Sequence, residues 1–457
     1  MSEASADLSV DVVGGNGVFM GEALAANLQA FGYVEHEYVA AGQAMSYVAS
    51  SALGGDGRWS FESDAVAPYR TRVVVRRPAD PQAFSGTVIV EWLNVSGGVD
   101  PNPDWASLHE EIMRRGHTWA GVSAQRIGVM GGPVLVGIQV PGADAAGKGL
   151  RVIDPARYGS LDHPGDGFSF DIFTQVARAI RSGAGVDGWK PQHMLATGES
   201  QSAFALVSYY NGVQPLTQAF DGFLVHSRGA YGLPLVGQEG HADIAGSFSG
   251  TPTTFRDDQS APVLNVQTET DVTSVFNSYA ARQPESDRFR LWEVAGTAHA
   301  DRHLLGPTAE FIDCGGPINN GPMHVVAKAA LRALAGWVES GRAPAIAPRL
   351  EMTPDPPPEI QRDADGIALG GLRTPPVDVP VATLSGLPGT GTSIICLLLG
   401  STSPFTRERL AQLYPSRAAY LRQYEASTDA AIESGFVLAE DRAALVSFAE
   451  PSQIAAD

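Results

Sequence analysis

HMLATGESQSAFALVSYY, His193 to Tyr210, is the stretch on which the fold turns. Its first part, HMLATGES, reads as an apolar strand. Its last part places Ala203, Leu206, Val207 and Tyr210 on one helical face. Between them stands GESQS, Gly198 to Ser202. A serine on a tight strand-to-helix turn is the context of a nucleophile elbow, in which the turn lifts the hydroxyl clear of the sheet. The residues two before and two after it must be small, or strand and helix collide. Gly198 meets that demand, and Ser202 meets it with a small side chain where glycine is commoner. The competing reading makes Ser200 an ordinary helix N-cap. A second G-x-S, Gly121 to Ser123, shows that the tripeptide alone carries little weight.

A serine hydroxyl needs an adjacent base, and the base needs an orienting acid. After an elbow of this kind, the acid and then the histidine follow the serine along the chain. APVLNVQTETD, Ala261 to Asp271, is an apolar strand that brings Glu269 and Asp271 to its carboxyl edge. FRLWEVAGTAH, Phe289 to His299, brings His299 to the same edge. The expected triad is therefore Ser200, Asp271 and His299. Glu269 is the alternative acid, of the same strand parity. Asp271 is preferred because it lies further into the loop, where a short carboxylate bends back toward the imidazole. His226, at the end of FDGFLVHSRG, is the runner-up base but precedes the acid strand, and His303 lies about a turn past His299. The tetrahedral intermediate needs two preorganised N–H donors. One is the amide of Gln201. The other belongs to the loop LNVSGG after VIVEW, with Asn94 and Val95 as candidates.

Further strands read outward from this centre: Val88–Val90, His117 to Gln125, and, nearer the N-terminus, Tyr33 to Ala40 and Thr71 to Pro78. Helical stripes fall between them at Ile172, Val176, Ala179 and Ile180, and at Val326, Ala330, Leu334 and Trp337, the last stopped by Gly341. Strands alternating with helices imply an α/β fold with a mainly parallel central sheet and helices on both faces.

YRTRVVVRRP, GTVIVEWLNVSGG, DPARYGSLDHPGDGFSFDIFTQ, LATGESQSAF, DGFLVHSRG, VQTETDV and LWEVAGTAHAD span most of residues 65–305. Over these stretches the chain resembles α/β-hydrolase serine esterases, and more narrowly a large bacterial group of alpha/beta hydrolase domain proteins. The resemblance implies the α/β-hydrolase fold and an esterase or lipase-like activity, with Ser200 as nucleophile and His299 as base. It implies no particular substrate. The group shares the serine at position 202.

The chain has 457 residues, enough for two or three units at roughly 100–200 each. Hydrophobic residues make up 44%, which is globular, and charged residues 18%, below the usual value of roughly 25%. Asp plus Glu outnumber Lys plus Arg by 50 to 31, a net charge of −19, which disfavours nucleic acid and anionic membranes as partners. No apolar run approaches the ~18 residues of a bilayer span. The polar, acidic N-terminus lacks the pattern of a signal peptide, so the cytoplasm is expected unless a leader has been cut away. Cys314 and Cys396 could pair with each other, but separate buried thiols are the preferred reading. The cluster GGNGVFMG, Gly14 to Gly21, approaches a dinucleotide fingerprint and precedes a helical stretch, but its spacing is wrong and a hairpin turn accounts for its glycines. With no H-E-x-x-H, Cys cluster or Walker loop, neither cofactor nor metal is expected. His163 and Asp166 read as turn and cap residues, and Arg228 as half of an ion pair.

The proline-rich run Ala343 to Glu359 separates a core at 1–345 from a linker and partly helical C-terminal extension at 346–457. Helices are expected near Thr406 and from Ser416 to Ile432. Two segments are candidate lids: a cap insertion at Ala230 to Ser260, and the extension. The function expected is hydrolysis of a small or medium carboxylic ester through an acyl-enzyme. An acyltransferase on the same triad and a non-catalytic binding protein are the alternatives. Oligomeric state has no signature in the sequence.

Overall fold

Val88, Val90 and Trp92 point to one face of their strand, Ile89 and Leu93 to the other, and all five are fully buried. A strand apolar on both faces belongs inside a sheet covered on both sides. The computed structural model, which describes residues 4–21, 25–137, 143–391 and 393–455, has that architecture. The strands of its central sheet are β1 (Asp7–Asp11), β2 (Tyr33–Ala49), β3 (Phe61–Pro78), β4 (Thr87–Trp92), β5 (Thr118–Val122), β6 (His193–Glu199), β7 (Gly222–His226), β8 (Val263–Thr268) and β9 (Phe289–Val294). They form one nine-stranded sheet in the order β1-β2-β3-β5-β4-β6-β7-β8-β9. The pairs from β5 through β4 to β9 are parallel, and β1, β2 and β3 are joined antiparallel at one end.

The main helices are α1 (Pro103–Arg114), α2 (Ser169–Ser182), α3 (Gln201–Ser208), α4 (Met323–Ser340), α5 (Arg407–Leu413) and α6 (Arg417–Glu433). Ile172, Phe173, Val176 and Leu206 of α2 and α3 pack on the Val88 face. Trp105, Leu108, Val326 and Leu334 of α1 and α4 pack on the Ile89 face. Burying each such side chain contributes about 1.5–3 kcal/mol, so the rigid centre of the sheet holds its carboxyl ends in fixed positions. Gly341 ends α4 in the left-handed conformation, at φ 70°, as its place in the sequence predicts. Helix α1 lies outside the stripes named above, although Pro103 at its first position, Asp104 in its first turn and Trp105, Leu108 and Ile112 on one face mark it in the sequence. Its N-terminus is capped from the sheet, because the Glu91 carboxylate accepts from the amides of Asp104 (3.0 Å) and Trp105 (2.9 Å).

The expected hairpin at Gly14–Gly21 is instead a long connection from β1 to its antiparallel neighbour β2. The helical stretch expected after it falls partly on residues 22–24, outside the described residues. A Cβ on Gly15 would lie 2.2 Å from Asp154 Oδ2, so glycine here serves close packing rather than nucleotide binding. Ser123 of the second G-x-S is buried between Asp100 Oδ2 (2.5 Å) and Arg72 Nε (3.0 Å), a structural role.

The C-terminal extension is sewn to the core. Leu372 forms a parallel bridge with Val294 of β9. Lys328 of α4 reaches Asp441 (3.0 Å), and Arg332 reaches Glu440 (2.8 Å). The expectation of two free thiols is overturned, because Cys314 and Cys396 are disulfide-bonded. Sequence offers no sign of this, since 82 positions separate them and the fold alone brings them together. Structural disulfides belong to oxidising compartments, which weighs against the cytoplasmic expectation. Cys314→Ser/Cys396→Ser is expected to lose about 2–5 kcal/mol of stability, because closing so long a loop restricts the unfolded chain. Urea denaturation checks this, and an unchanged midpoint contradicts it. Among the described residues, no helix is long and apolar enough to cross a membrane.

Candidate active site

Ser200 sits between the last residue of β6 and the first of α3, with φ 59° and ψ −119°. A non-glycine residue rarely holds positive φ, and does so where its surroundings over-determine it. Here the Ser200 amide donates to His226 O at 3.0 Å, and the elbow is packed tightly. A Cβ on Gly198 would lie 2.9 Å from Ser202 Cβ and 3.1 Å from Leu206 Cδ1. Both expected small residues are therefore required by one contact, and serine at 202 fits it.

The carboxyl ends of β6, β8 and β9 bring three distant residues together. His299 Nε2 lies 2.7 Å from Ser200 Oγ, and His299 Nδ1 lies 2.6 Å from Asp271 Oδ1. Asp271 is fully buried, and its Oδ2 accepts from the amide (2.7 Å) and the hydroxyl (2.8 Å) of Thr268. The Phe276 ring stacks on the imidazole at 4.2 Å between centroids, fixing its plane. Thr268 and Asp271 form a capping box that the spacing T-E-T-D could have revealed, whereas Phe276 carries no local signal.

Glu269 faces elsewhere. Its carboxylate accepts from Gly296 N (2.6 Å), Gly386 N (3.0 Å) and Arg362 Nη2 (2.7 Å). Strand parity had left it level with Asp271, but β8 ends at Thr268 and Glu269–Val272 is a helical turn. Two residues apart on a helix point to nearly opposite sides. Glu269 thus ties the C-terminal extension to the turn before His299. Glu269→Ala leaves two buried amides without an acceptor and is expected to cost about 2–5 kcal/mol. A urea-denaturation loss below about 1 kcal/mol contradicts this role.

The runner-up His226 has its Nδ1 on Asp104 Oδ1 at 2.9 Å, while its Nε2 is buried without a hydrogen-bond partner among the described residues. His303 stacks on His324 at 3.6 Å. The candidate oxyanion loop divides. The amide of Asn94 donates to Pro101 O at 3.1 Å and is spent, which corrects its candidacy as a backbone donor. Its side chain shapes the loop instead, donating to Glu199 O (3.0 Å) and accepting from Ser96 N (2.9 Å). The Val95 amide donates to Gln201 Oε1 at 3.2 Å. The Gln201 amide lies in the first turn of α3, where no intrahelical acceptor exists.

Ser200, His299 and Glu199 line a cavity of about 440 Å³. Its walls are mainly apolar: Met20 and Val136, Leu304 and Leu305 past the histidine, and Ile395 and Leu398 of the C-terminal extension. The extension contributes to the cavity wall, as one of the two candidate lids. The 230–260 segment does not line the cavity. Asp166 holds part of it away, accepting from Ala242 N (2.7 Å) as well as Arg126 N (2.7 Å) and Ser169 Oγ (2.9 Å). His163 accepts from Gly165 N at 3.3 Å, a turn contact, but its Nε2 bonds the distant Ala124 O at 2.8 Å, and neither His163 nor Asp166 caps the Ile172 helix, which has no side-chain cap. Arg228 departs from expectation. It donates to the carbonyls of Gly229 (2.6 Å), Ala230 (2.9 Å) and Thr253 (2.7 Å) rather than to an acid, and burial pulls its pKa down to about 9. No cluster of metal-ligating side chains occurs among the described residues.

The model of the family described as "Alpha/beta hydrolase domain" matches residues 8–447. This chain belongs to that family. The match takes in the elbow, the acid and histidine strands and most of the C-terminal extension of this alpha/beta hydrolase. No curated relative matches it. Solved structures with a similar fold include a serine hydrolase without lid from Xanthomonas campestris, 14% identical, covering 54% of this chain and 83% of that one, with a TM-score of 0.29. A putative dienelactone hydrolase from Klebsiella pneumoniae is 13% identical over 66% of this chain and 99% of that one, with a TM-score of 0.30. An esterase from Rhizomucor miehei is 11% identical over 65% of this chain and 85% of that one, with a TM-score of 0.33.

Proposed function

We propose that this alpha/beta hydrolase is a serine carboxylic ester hydrolase working through an acyl-enzyme. The observation that carries the reading is the unbroken chain from Ser200 Oγ to His299 Nε2 (2.7 Å) and from His299 Nδ1 to Asp271 Oδ1 (2.6 Å). His299 takes the Ser200 proton as Oγ attacks the ester carbonyl carbon. Asp271 keeps the Nδ1–H tautomer and stabilises the imidazolium that forms. The carbonyl oxygen, now an oxyanion, takes a hydrogen bond from the Gln201 amide and a second from the Val95 amide, displacing Gln201 Oε1. His299 then gives its proton to the leaving alcohol. Water attacks the acyl-enzyme by the same route and releases the acid.

The apolar walls and the volume of about 440 Å³ favour an ester of small to medium size with an apolar acyl or alcohol part. The test is a fluorophosphonate probe followed by peptide mapping, beside an ester panel of varied acyl length and alcohol bulk. The expected result is a single adduct on Ser200 and turnover of apolar esters. No adduct, together with no turnover across the panel, overturns the reading.

A further inference from the structure

Glu199 immediately precedes the candidate nucleophile, and its side chain faces the cavity with Ser200 and His299. It is 5% exposed, and its Oε1 lies 3.5 Å from His299 Nε2. Beyond that approach, its carboxyl has no hydrogen-bond partner among the described residues. The contrast with its neighbours is sharp. Glu91 accepts from two amides and from the Trp119 indole (2.8 Å), Asp104 holds His226 and the Thr197 hydroxyl, and Asp271 holds His299 and Thr268. A buried carboxyl left open beside three acids that are satisfied marks the place of a missing partner. Facing a cavity, that partner is a bound molecule.

We infer that Glu199 is a further catalytic residue, whose carboxyl seats the water that attacks the acyl-enzyme. The inference rests on the reading of Ser200 as the acylated residue. Once Oγ carries the acyl group, His299 Nε2 loses its hydrogen-bond partner. Nε2 and Glu199 Oε1, 3.5 Å apart, are both within about 2.8 Å of a single oxygen placed between them. One O–H of that water donates to Nε2 and the other to the Glu199 carboxyl, which leaves a lone pair for the acyl carbon. As the water oxygen bonds to that carbon, its first proton passes to Nε2. The carbon–Oγ bond then breaks, the same proton moves to Oγ, and the carboxylic acid departs. Glu199 ends the step with the proton it began with.

The charge state suits this task. Burial raises the Glu199 pKa well above the usual carboxyl range, and the nearby Asp104, Asp271, Glu91 and Asp301 raise it further. A neutral carboxyl leaves His299 free to act as a base.

Stopped-flow release of p-nitrophenolate from p-nitrophenyl acetate separates acylation, seen as the burst, from deacylation, seen as the steady rate. In Glu199→Leu, deacylation is expected to fall about 10–100-fold, and by more than acylation. The burst then approaches one equivalent, KM falls, and an acetyl adduct accumulates on Ser200 by intact mass. Glu199→Gln keeps an accepting oxygen and should recover most of the lost deacylation rate. If the leucine variant does not fold, Glu199→Met repeats the measurement. Equal losses in both steps, loss in neither, or a glutamine variant as slow as leucine overturns the inference while leaving the serine mechanism standing. A wild-type protein with neither a fluorophosphonate adduct on Ser200 nor ester turnover removes both.

Discussion

Ser200→Ala is expected to lower kcat toward a p-nitrophenyl ester by about 10⁵–10⁶-fold and to abolish fluorophosphonate labelling. The nucleophile is a single oxygen atom. His299 and Asp271 remain in place without it, but they act only through it, so losing one member costs nearly as much as losing the set. The Gln201 and Val95 amides and the apolar walls survive the change, and they leave a residual rate over water. Alanine accepts the elbow backbone no worse than serine does, since both carry a Cβ at φ 59°. Substrate affinity and thermal stability should therefore change little. A variant retaining more than about a hundredth of the wild-type rate contradicts the assignment.

Asp271→Asn should lower kcat by about 10⁴-fold with the fold intact. The reason lies in Thr268, whose amide and hydroxyl both donate to Oδ2 at 2.7 and 2.8 Å. In asparagine the carbonyl oxygen takes that position, and the NH₂ group is turned toward His299 Nδ1. The imidazole must then accept at Nδ1 and carry its proton on Nε2, so it cannot take the proton of Ser200. Glu269→Gln is the matching control. It weakens the anchorage of the C-terminal extension and should change kcat less than about tenfold, because Glu269 does not approach the imidazole. If the two variants exchange these effects, Glu269 is the acid. Steady-state kinetics alongside circular dichroism distinguish the outcomes.

The parts of this protein visible in its sequence are those set by neighbours in the chain. Gly198 and Ser202 are small because strand and helix meet there within five residues, and that constraint is written locally. The continuous apolar run Val88–Val90 reveals a sheet covered on both faces, because that strand must match the core on both sides. The order of serine, acid and histidine follows from parallel strands that all end at one edge. A short apolar run such as Val88–Val90 is enough to place a strand. Helix α1 has local signals as well, Pro103 at its first position and Asp104 in its first turn, and Glu91 of the sheet secures its start from outside.

What the tertiary structure alone decided has one physical origin: contacts between residues far apart in sequence leave no local pattern. Asp271 rather than Glu269 faces the base because the strand gives way to a helical turn after Thr268. Cys314 meets Cys396, and Ile395 and Leu398 reach the cavity, because the C-terminal extension folds back over the carboxyl end of the sheet. The 230–260 segment, equally irregular in sequence, is pinned away from the cavity by Asp166 and Arg228. Glu199 stood in the first motif quoted, yet only burial, an open carboxyl and the 3.5 Å approach to His299 distinguish it from a spacer residue. Sequence marks the family and the candidate residues, and packing decides which of them meet at the cavity.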